Sequence, residues 1–162
     1  MNDTNNIDWF NVHNFSKNEF PEDPDKYVDP RLIYTLDKYR TQLGHKVFPS
    51  PVKGALARLG GSRNSRHYAI GRKSDAIDIF PDCNVMQAFF LALSMEDING
   101  IGIYPYTCYN SSKLWPMLHI DMRPLKNGKK TIWMRNEAGN YIYPNNNDEY
   151  SENFIRELQR LV

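Results

Sequence analysis

The sequence predicts an α+β fold, an antiparallel sheet backed by helices, and three observations carry that expectation. Leu32, Ile33, Leu36, Tyr39 and Leu43 recur at helical spacing. Two runs, Asp75 to Phe80 and Met117 to Arg123, alternate apolar and polar side chains as half-buried strands do. Asn127-Gly128 is a strong hairpin-turn signal, so the run from Lys130 to Arg135 is expected to return as the antiparallel partner of Met117 to Arg123.

Composition bounds the rest. At 162 residues and 41% hydrophobic the chain is long and apolar enough for one domain with a core, and no internal repeat or linker divides it. A formal charge of +1, from 20 basic against 19 acidic residues, argues against a nucleic-acid partner held through phosphates. The first residues carry no basic segment leading into an apolar run, and nowhere do eighteen apolar residues follow one another. Synthesis in the cytoplasm, without a signal peptide or membrane span, is therefore expected, and the state expected is a monomer. Cys83 and Cys108 read as unpaired small apolar residues of a reducing compartment.

In chain order, residues 1–28 are rich in Asn, Asp and Pro but hold Trp9, Phe10, Phe15, Phe20 and Tyr27, too much aromatic surface for a free tail. They are expected to form an arm packed on a domain of residues 29–162. Asp29-Pro30 reads as N-cap and first residue of the helix that Gly44 stops. Lys46 to Phe48 is a short strand broken at Pro49-Ser50-Pro51, and Lys53 to Leu59 is expected to be a short helix ending at Gly60-Gly61. Val85 to Met95, nearly all apolar, reads as a buried helix capped by Asp82 or Asn84. Gly100 to Pro105 alternates small and large residues as a strand, followed by a turn-rich segment to Lys113. The last helix is expected over 147–162, from the spacing of Tyr150, Phe154, Ile155, Leu158 and Leu161, with Ser151 or Asp148 as its cap.

The candidate chemistry lies on the two alternating runs. Side chains two apart on a strand share a face, so Asp78 lies opposite the core-directed Ile77 and Ile79, beside a small Ala76 that leaves room for a ligand. Asp75 falls on the other face and is the fallback if the chain turns at Ser74. The same rule puts His119, Asp121 and Arg123 on one face. His67, just after a serine-arginine turn, joins Asp78 and His119 in a three-ligand set with an open fourth position, the arrangement of catalytic rather than structural zinc. The plain alternative is a solvated face, with Asp121 and Arg123 as a surface ion pair worth under about 1 kcal/mol and His67 an ordinary surface histidine, as His13 and His45 are read.

Several short motifs carry a resemblance. They are Phe15-Ser16-Lys17-Asn18-Glu19-Phe20, a helix led by Pro30, Ser65-Arg66-His67, Ala76-Ile77-Asp78 and His119-Ile120-Asp121. From Phe15 to about Arg135 the chain resembles the D-alanyl-D-alanine carboxypeptidase and endopeptidase family of zinc peptidases, in particular its short phage and bacterial cell-wall branch. The resemblance implies a hedgehog/D-Ala-D-Ala-peptidase-like fold, a Zn2+ cofactor held by His67, Asp78 and His119, and a substrate in the peptide stems of peptidoglycan.

The chain also departs from the family pattern. The family steps seven residues from the first His to the Asp, whereas His67 to Asp78 is eleven, so four residues must loop out through Ala69 to Lys73. Asp75 is nearer the usual step but lacks the Ala-x-Asp-Ile context. The usual Ser-Gly-aromatic-Arg turn is replaced by Ser50-Pro51-Val52-Lys53, leaving Arg58, Arg63 or Arg66 to supply the cation, and Arg63 and Arg66 are carried as candidate catalytic residues. Pro116 stands where many members place the acid three residues before the last His. Asp121, about 6.6 Å along the strand from His119, is then either the general base or a carboxylate that orients a ligand histidine.

The expected function is a zinc metallopeptidase hydrolysing a peptidoglycan peptide bond, as a carboxypeptidase or endopeptidase of endolysin or virion-associated type. Such a protein would reach the cell wall after holin release or with a bacteriophage particle. The alternative is a catalytically inactive zinc-binding or virion structural protein on the same fold, which Pro116 favours.

Overall fold

The computed structural model describes residues 6–109, 113–144 and 148–161. The turn-rich residues 110–112, the first residue expected of the last helix and Val162 lie outside the described residues, as do 1–5 and 145–146. After two short 3₁₀ turns come helices α1 (Pro24–Tyr27) and α2 (Pro30–Leu43), then strands β1 (Val47–Pro49) and β2 (Ala76–Pro81) and helix α3 (Val85–Ser94). Strands β3 (Gly100–Tyr104), β4 (Met117–Asp121), β5 (Thr131–Arg135) and β6 (Tyr141–Ile142) follow, and α4 (Asp148–Gln159) ends the chain.

Helix α2 forms where its caps and apolar stripe agree. The Asp29 carboxylate accepts from the Arg31 N–H at 3.0 Å, Pro30 occupies the first turn, and Gly44 closes the helix at φ 68°, a left-handed conformation that glycine adopts without steric cost. The stripe of Leu32, Ile33, Leu36, Tyr39 and Leu43 is buried, and each such side chain contributes roughly 1.5–3 kcal/mol relative to exposure. Tyr39 donates its hydroxyl to the Ala88 carbonyl at 2.8 Å, tying α2 to α3, which Asn84 caps through the Met86 N–H. Both helices lie on one face of the sheet, over Ile77, Ile79, Ile101, Ile103, Leu118 and Ile120, all 1% exposed or less.

The sheet has six strands in the order β1-β2-β4-β3-β5-β6, and it is mixed rather than purely antiparallel. Asn127-Gly128 does turn the chain, with both residues at positive φ and Lys126 and Lys129 exchanging backbone hydrogen bonds. The strand that follows does not pair with β4, because β4 already has β2 on one edge and β3 on the other. β5 therefore runs antiparallel to β4 as expected but takes the free edge of β3, to which it is parallel.

Two further expectations are corrected. Lys53 to Leu59 forms turns instead of a helix, because backbone groups that a helix would pair internally bond to other segments: the Arg58 N–H donates to the His67 carbonyl, the Ala55 carbonyl accepts from the Asp78 N–H, and the Glu22 carboxylate of the arm accepts the N–H groups of Gly54, Leu56 and Ala57. Ser151 lies inside α4 and is not its cap. The described part of the arm packs on the domain: Ile7, Val12, Phe15 and Phe20 join the core, and the Trp9 indole N–H donates to Asp25 at 2.8 Å.

Candidate metal centre

The face of the sheet away from α2 and α3 carries the site, and its plan is a single row across four strands. Asp78 on β2 is in register with His119 on β4, His119 with Gly102 on β3, and Gly102 with Trp133 on β5. Residues in register on adjacent strands point to the same face, so one row sets a carboxylate, an imidazole, a gap and an indole side by side. The neighbouring row repeats the plan with Ala76, Asp121 and Gly100. A Cβ on Gly100 would fall within the Asp121 carboxylate, and one on Gly102 would lie 2.5 Å from the Trp133 ring. The glycines are the hollows in which these two side chains lie.

His67 comes from outside the sheet. Its loop is tied to the preceding segment by Arg58 N–H to the His67 carbonyl at 2.6 Å and Ala69 N–H to the Arg58 carbonyl at 2.9 Å. Between His67 and β2 the chain turns through Gly71 at φ 73°, and the Arg72 guanidinium fastens this loop to the carbonyls of Arg63, Ser65 and Tyr68. His67 thereby lies over the row, with its ring centroid 4.8 Å from that of His119.

Three donor atoms converge there. His67 Nε2 lies 3.0 Å from His119 Nδ1, His119 Nδ1 lies 2.9 Å from Asp78 Oδ1, and Asp78 Oδ1 lies 3.4 Å from His67 Nε2. A tetrahedral ion with bonds of 2.0–2.1 Å has ligand-to-ligand edges of about 3.3 Å, so this triangle is close to one face of such a shell. All three residues are buried, at 4%, 9% and 5% exposure for His67, Asp78 and His119. Together they form a group that could hold a metal ion.

The protonation pattern fits the same use. His119 Nε2 lies 2.9 Å from Asp121 Oδ2, so a proton there satisfies the carboxylate and leaves the Nδ1 lone pair free to ligate. Burial disfavours a charged His119, yet the Asp121 and Asp78 carboxylates outweigh it and raise its pKa above the ordinary histidine value. Burial would likewise raise Asp78 and Asp121, but hydrogen bonds from His119, together with His67 at Asp78 and Arg123 at Asp121, hold both well below the usual carboxylate range.

These shifts predict opposite pH trends for the chelated and loaded protein. In chelator, the contribution of His119 is fully present below about pH 6.5 and is lost as pH rises through its raised folded value, while that of the carboxylates is present above about pH 3.9 and is lost as pH falls. The chelated protein should thus be most stable in mild acid. A metal ion bound here would have to displace the His119 proton, so its stabilisation would grow as pH rises. Thermal melts in chelator and in excess zinc across this range check both trends, and a chelated protein that gains stability steadily towards neutral pH would contradict the assignment.

The remaining candidates fall in different places. Asp121 is fully buried on the far side of the His119 ring from His67, with its oxygens taken by His119 and by the Arg123 backbone N–H and guanidinium at 2.8–3.0 Å. It faces His119 and not the space between His67 and Asp78. Asp75 is outside the donor group and pairs with Arg66. Arg66 lines an open cleft of about 400 Å³ above the donor atoms, whereas Arg63 is exposed and not part of its lining.

Several lining residues carry no motif in the sequence. Arg135, Tyr104 and Trp133 border the cleft, and so does Arg58, one of the three arginines from which the sequence leaves the cation to be supplied. The available signal was Gly100-Ile101-Gly102-Ile103, in which both glycines fall on one strand face; that pattern marks close approach by another group. No family model matches the chain, and no curated protein or solved structure matches it.

Proposed function

We propose that the protein is a zinc-dependent hydrolase that cleaves a peptide bond in bacterial cell-wall stem peptides, with His67, Asp78 and His119 as ligands. The observation that carries the reading is the convergence of their three donor atoms on the floor of an open cleft. Two imidazoles and one carboxylate suit zinc, and three protein ligands leave a position for substrate or water. When bound, zinc supplies Lewis acidity towards the scissile carbonyl and activates water at neutral pH.

The chain's own residues do the rest. Asp121 orients His119, and its strongly lowered pKa makes it a poor proton acceptor near neutral pH. Arg66 and Arg123 are largely neutralised by Asp75 and Asp121. Arg58 and Arg135 bond through Nε to the carbonyls of Gly54 and Gly139 and have no carboxylate partner among the described residues, so they offer free charge to an acidic peptide. Tyr104, whose phenol burial pushes above its ordinary pKa, stays protonated and presents a hydroxyl at the cleft. The peptidoglycan assignment is supported by the motif resemblance around these ligands, and it places the protein's action at the cell wall after holin release or virion delivery. Among the described residues no helix is long and apolar enough to cross a membrane.

A second reading, a zinc-binding protein without turnover, is favoured by one observation. Asp78 is the only carboxylate among the described residues lining the cleft, and Pro116 occupies the family's acid position. Incubating purified cell wall with the zinc-loaded and the chelated protein separates the two. New amino groups released only by the loaded protein are expected, and a full complement of zinc with no release would select the second reading.

A further inference from the structure

We propose that Trp133 and Arg123 are positioning residues of the metal centre, holding Asp121 on the Nε2–H of His119 and thereby keeping its Nδ1 turned towards His67 and Asp78. The proposal rests on the metal reading of that group. An imidazole on a strand can rotate about its two side-chain bonds, and only one orientation aims Nδ1 at the other ligands. Something must hold it there when the ion is exchanged.

A chain of contacts links the indole beside the ring to the carboxylate on its Nε2. The Trp133 indole packs at 5.1 Å between centroids on His119, tilted by 51°, and reaches it across the hollow left by Gly102. The Trp133 N–H donates to the Tyr104 hydroxyl at 3.2 Å, which fixes the indole in its plane. The Arg123 guanidinium stands 4.9 Å over the Trp133 ring and also donates through Nε to both Asp121 oxygens, at 2.8 and 3.0 Å. Arg123 thus joins the two flanks of His119, with the indole on one side and the carboxylate on the other.

The geometry makes these parts interdependent. Asp121 sits at the end of its strand and needs Arg123 to keep both oxygens in place, one of them on His119. Arg123 is itself steered by the indole face, a favourable seat for a guanidinium. Trp133 is 6% exposed and shields the His119 to Asp121 hydrogen bond, which is stronger away from water. Gly102 is the register partner of His119 on β3, and an added Cβ there would meet the Trp133 ring, so its part in this scheme is to leave room for the indole.

The test uses the full chain with Arg123→Met, Trp133→Leu, Trp133→Phe, Gly102→Ala and the Gly102→Ala/Trp133→Leu double variant. Folding is checked by circular dichroism, zinc affinity by chelator competition, and the His119 Nε2–H by its proton NMR signal. Arg123→Met, Trp133→Leu and Gly102→Ala should each weaken zinc binding by about 10- to 100-fold and speed exchange of the Nε2–H with water. Trp133→Phe should restore most of both. Gly102→Ala should add little on top of Trp133→Leu, because both act through the indole.

Wild-type affinity with an unchanged Nε2–H signal in Arg123→Met or Trp133→Leu would overturn the proposal, as would losses that simply add in the double variant. If Trp133→Leu does not fold, Gly102→Ala set against Trp133→Phe carries the same comparison. The NMR signal can be followed in metal-free protein, so a chain that never binds zinc would refute the metal reading while still deciding whether these two residues hold His119.

Discussion

His67→Ala, Asp78→Ala and His119→Ala are each expected to lower bound zinc from about one per chain to nearly none, whereas Asp75→Ala should retain most of it. The contrast follows from where the two aspartates point. Asp78 Oδ1 lies 2.9 and 3.4 Å from the two histidine nitrogens, while the Asp75 carboxylate is held by Arg66 outside the donor group. With two ligands left, the ion has no closed triangle to sit on. Stability provides a second measure, because zinc at about 100 times its dissociation constant adds about 2.7 kcal/mol to the wild type, raising the melting temperature of a domain this size by about 5–10 °C. The ligand variants should show no such rise. His119→Ala also leaves the Asp78 and Asp121 carboxylates buried without their shared partner, so this variant should be the least stable of the three before any metal is added. Full zinc content in any ligand variant, or its loss in Asp75→Ala with Asp78→Ala still loaded, would transfer the site to other residues.

What could be read from the sequence is what local periodicity encodes. The two-residue period of Ala76 to Phe80 and Met117 to Asp121 determines which side chains share a face within each strand, which sets Asp78 opposite Ile77 and Ile79 and His119 opposite Leu118 and Ile120; their register across the two strands is a property of the sheet. His67 follows a serine-arginine turn and lies outside the sheet, so no periodicity places it, and the turn through Gly71 and Arg72 that carries the chain from His67 to β2 is held by side-chain bonds to carbonyls. Helix α2 was legible because the Asp29 cap, Pro30, its apolar stripe and Gly44 all agree. Strand order is a different kind of information. The Asn127-Gly128 turn sets the direction of β5, but its neighbour depends on which edges of β4 are already filled, and β3, some twenty residues upstream, fills one of them. Trp133 was illegible as a site residue for that reason: paired with β4 as a hairpin it would have had another register, and only beside β3 does it face His119 across Gly102. The failed helix at Lys53 to Leu59 has a similar origin, since its backbone bonds to His67 and Asp78 from later in the chain and to Glu22 from the arm.

Asp121→Asn is expected to weaken zinc affinity by about 10- to 100-fold, with much of any hydrolytic rate returning at saturating zinc. The aspartate accepts from the His119 Nε2–H on one side and from the Arg123 guanidinium and backbone N–H on the other. Asparagine keeps the size but has a single carbonyl oxygen, so it can satisfy His119 only by turning its NH2 group against the arginine, and can satisfy the arginine only by turning it against His119. Either outcome loosens the imidazole. It also removes the negative charge that makes His119 a stronger ligand and that the guanidinium balances. The competing role for Asp121 is general base, and it predicts a different pattern. Zinc would stay bound, and turnover would fall by roughly 10²- to 10⁴-fold at every zinc concentration. Measuring zinc affinity by competition, and cell-wall turnover at low and saturating zinc, separates the two in one variant. The buried position behind the ring and the lowered pKa both favour the first pattern. A rate that stays low at saturating zinc with unchanged affinity would restore Asp121 as the proton acceptor and require its carboxylate to swing past His119 during turnover.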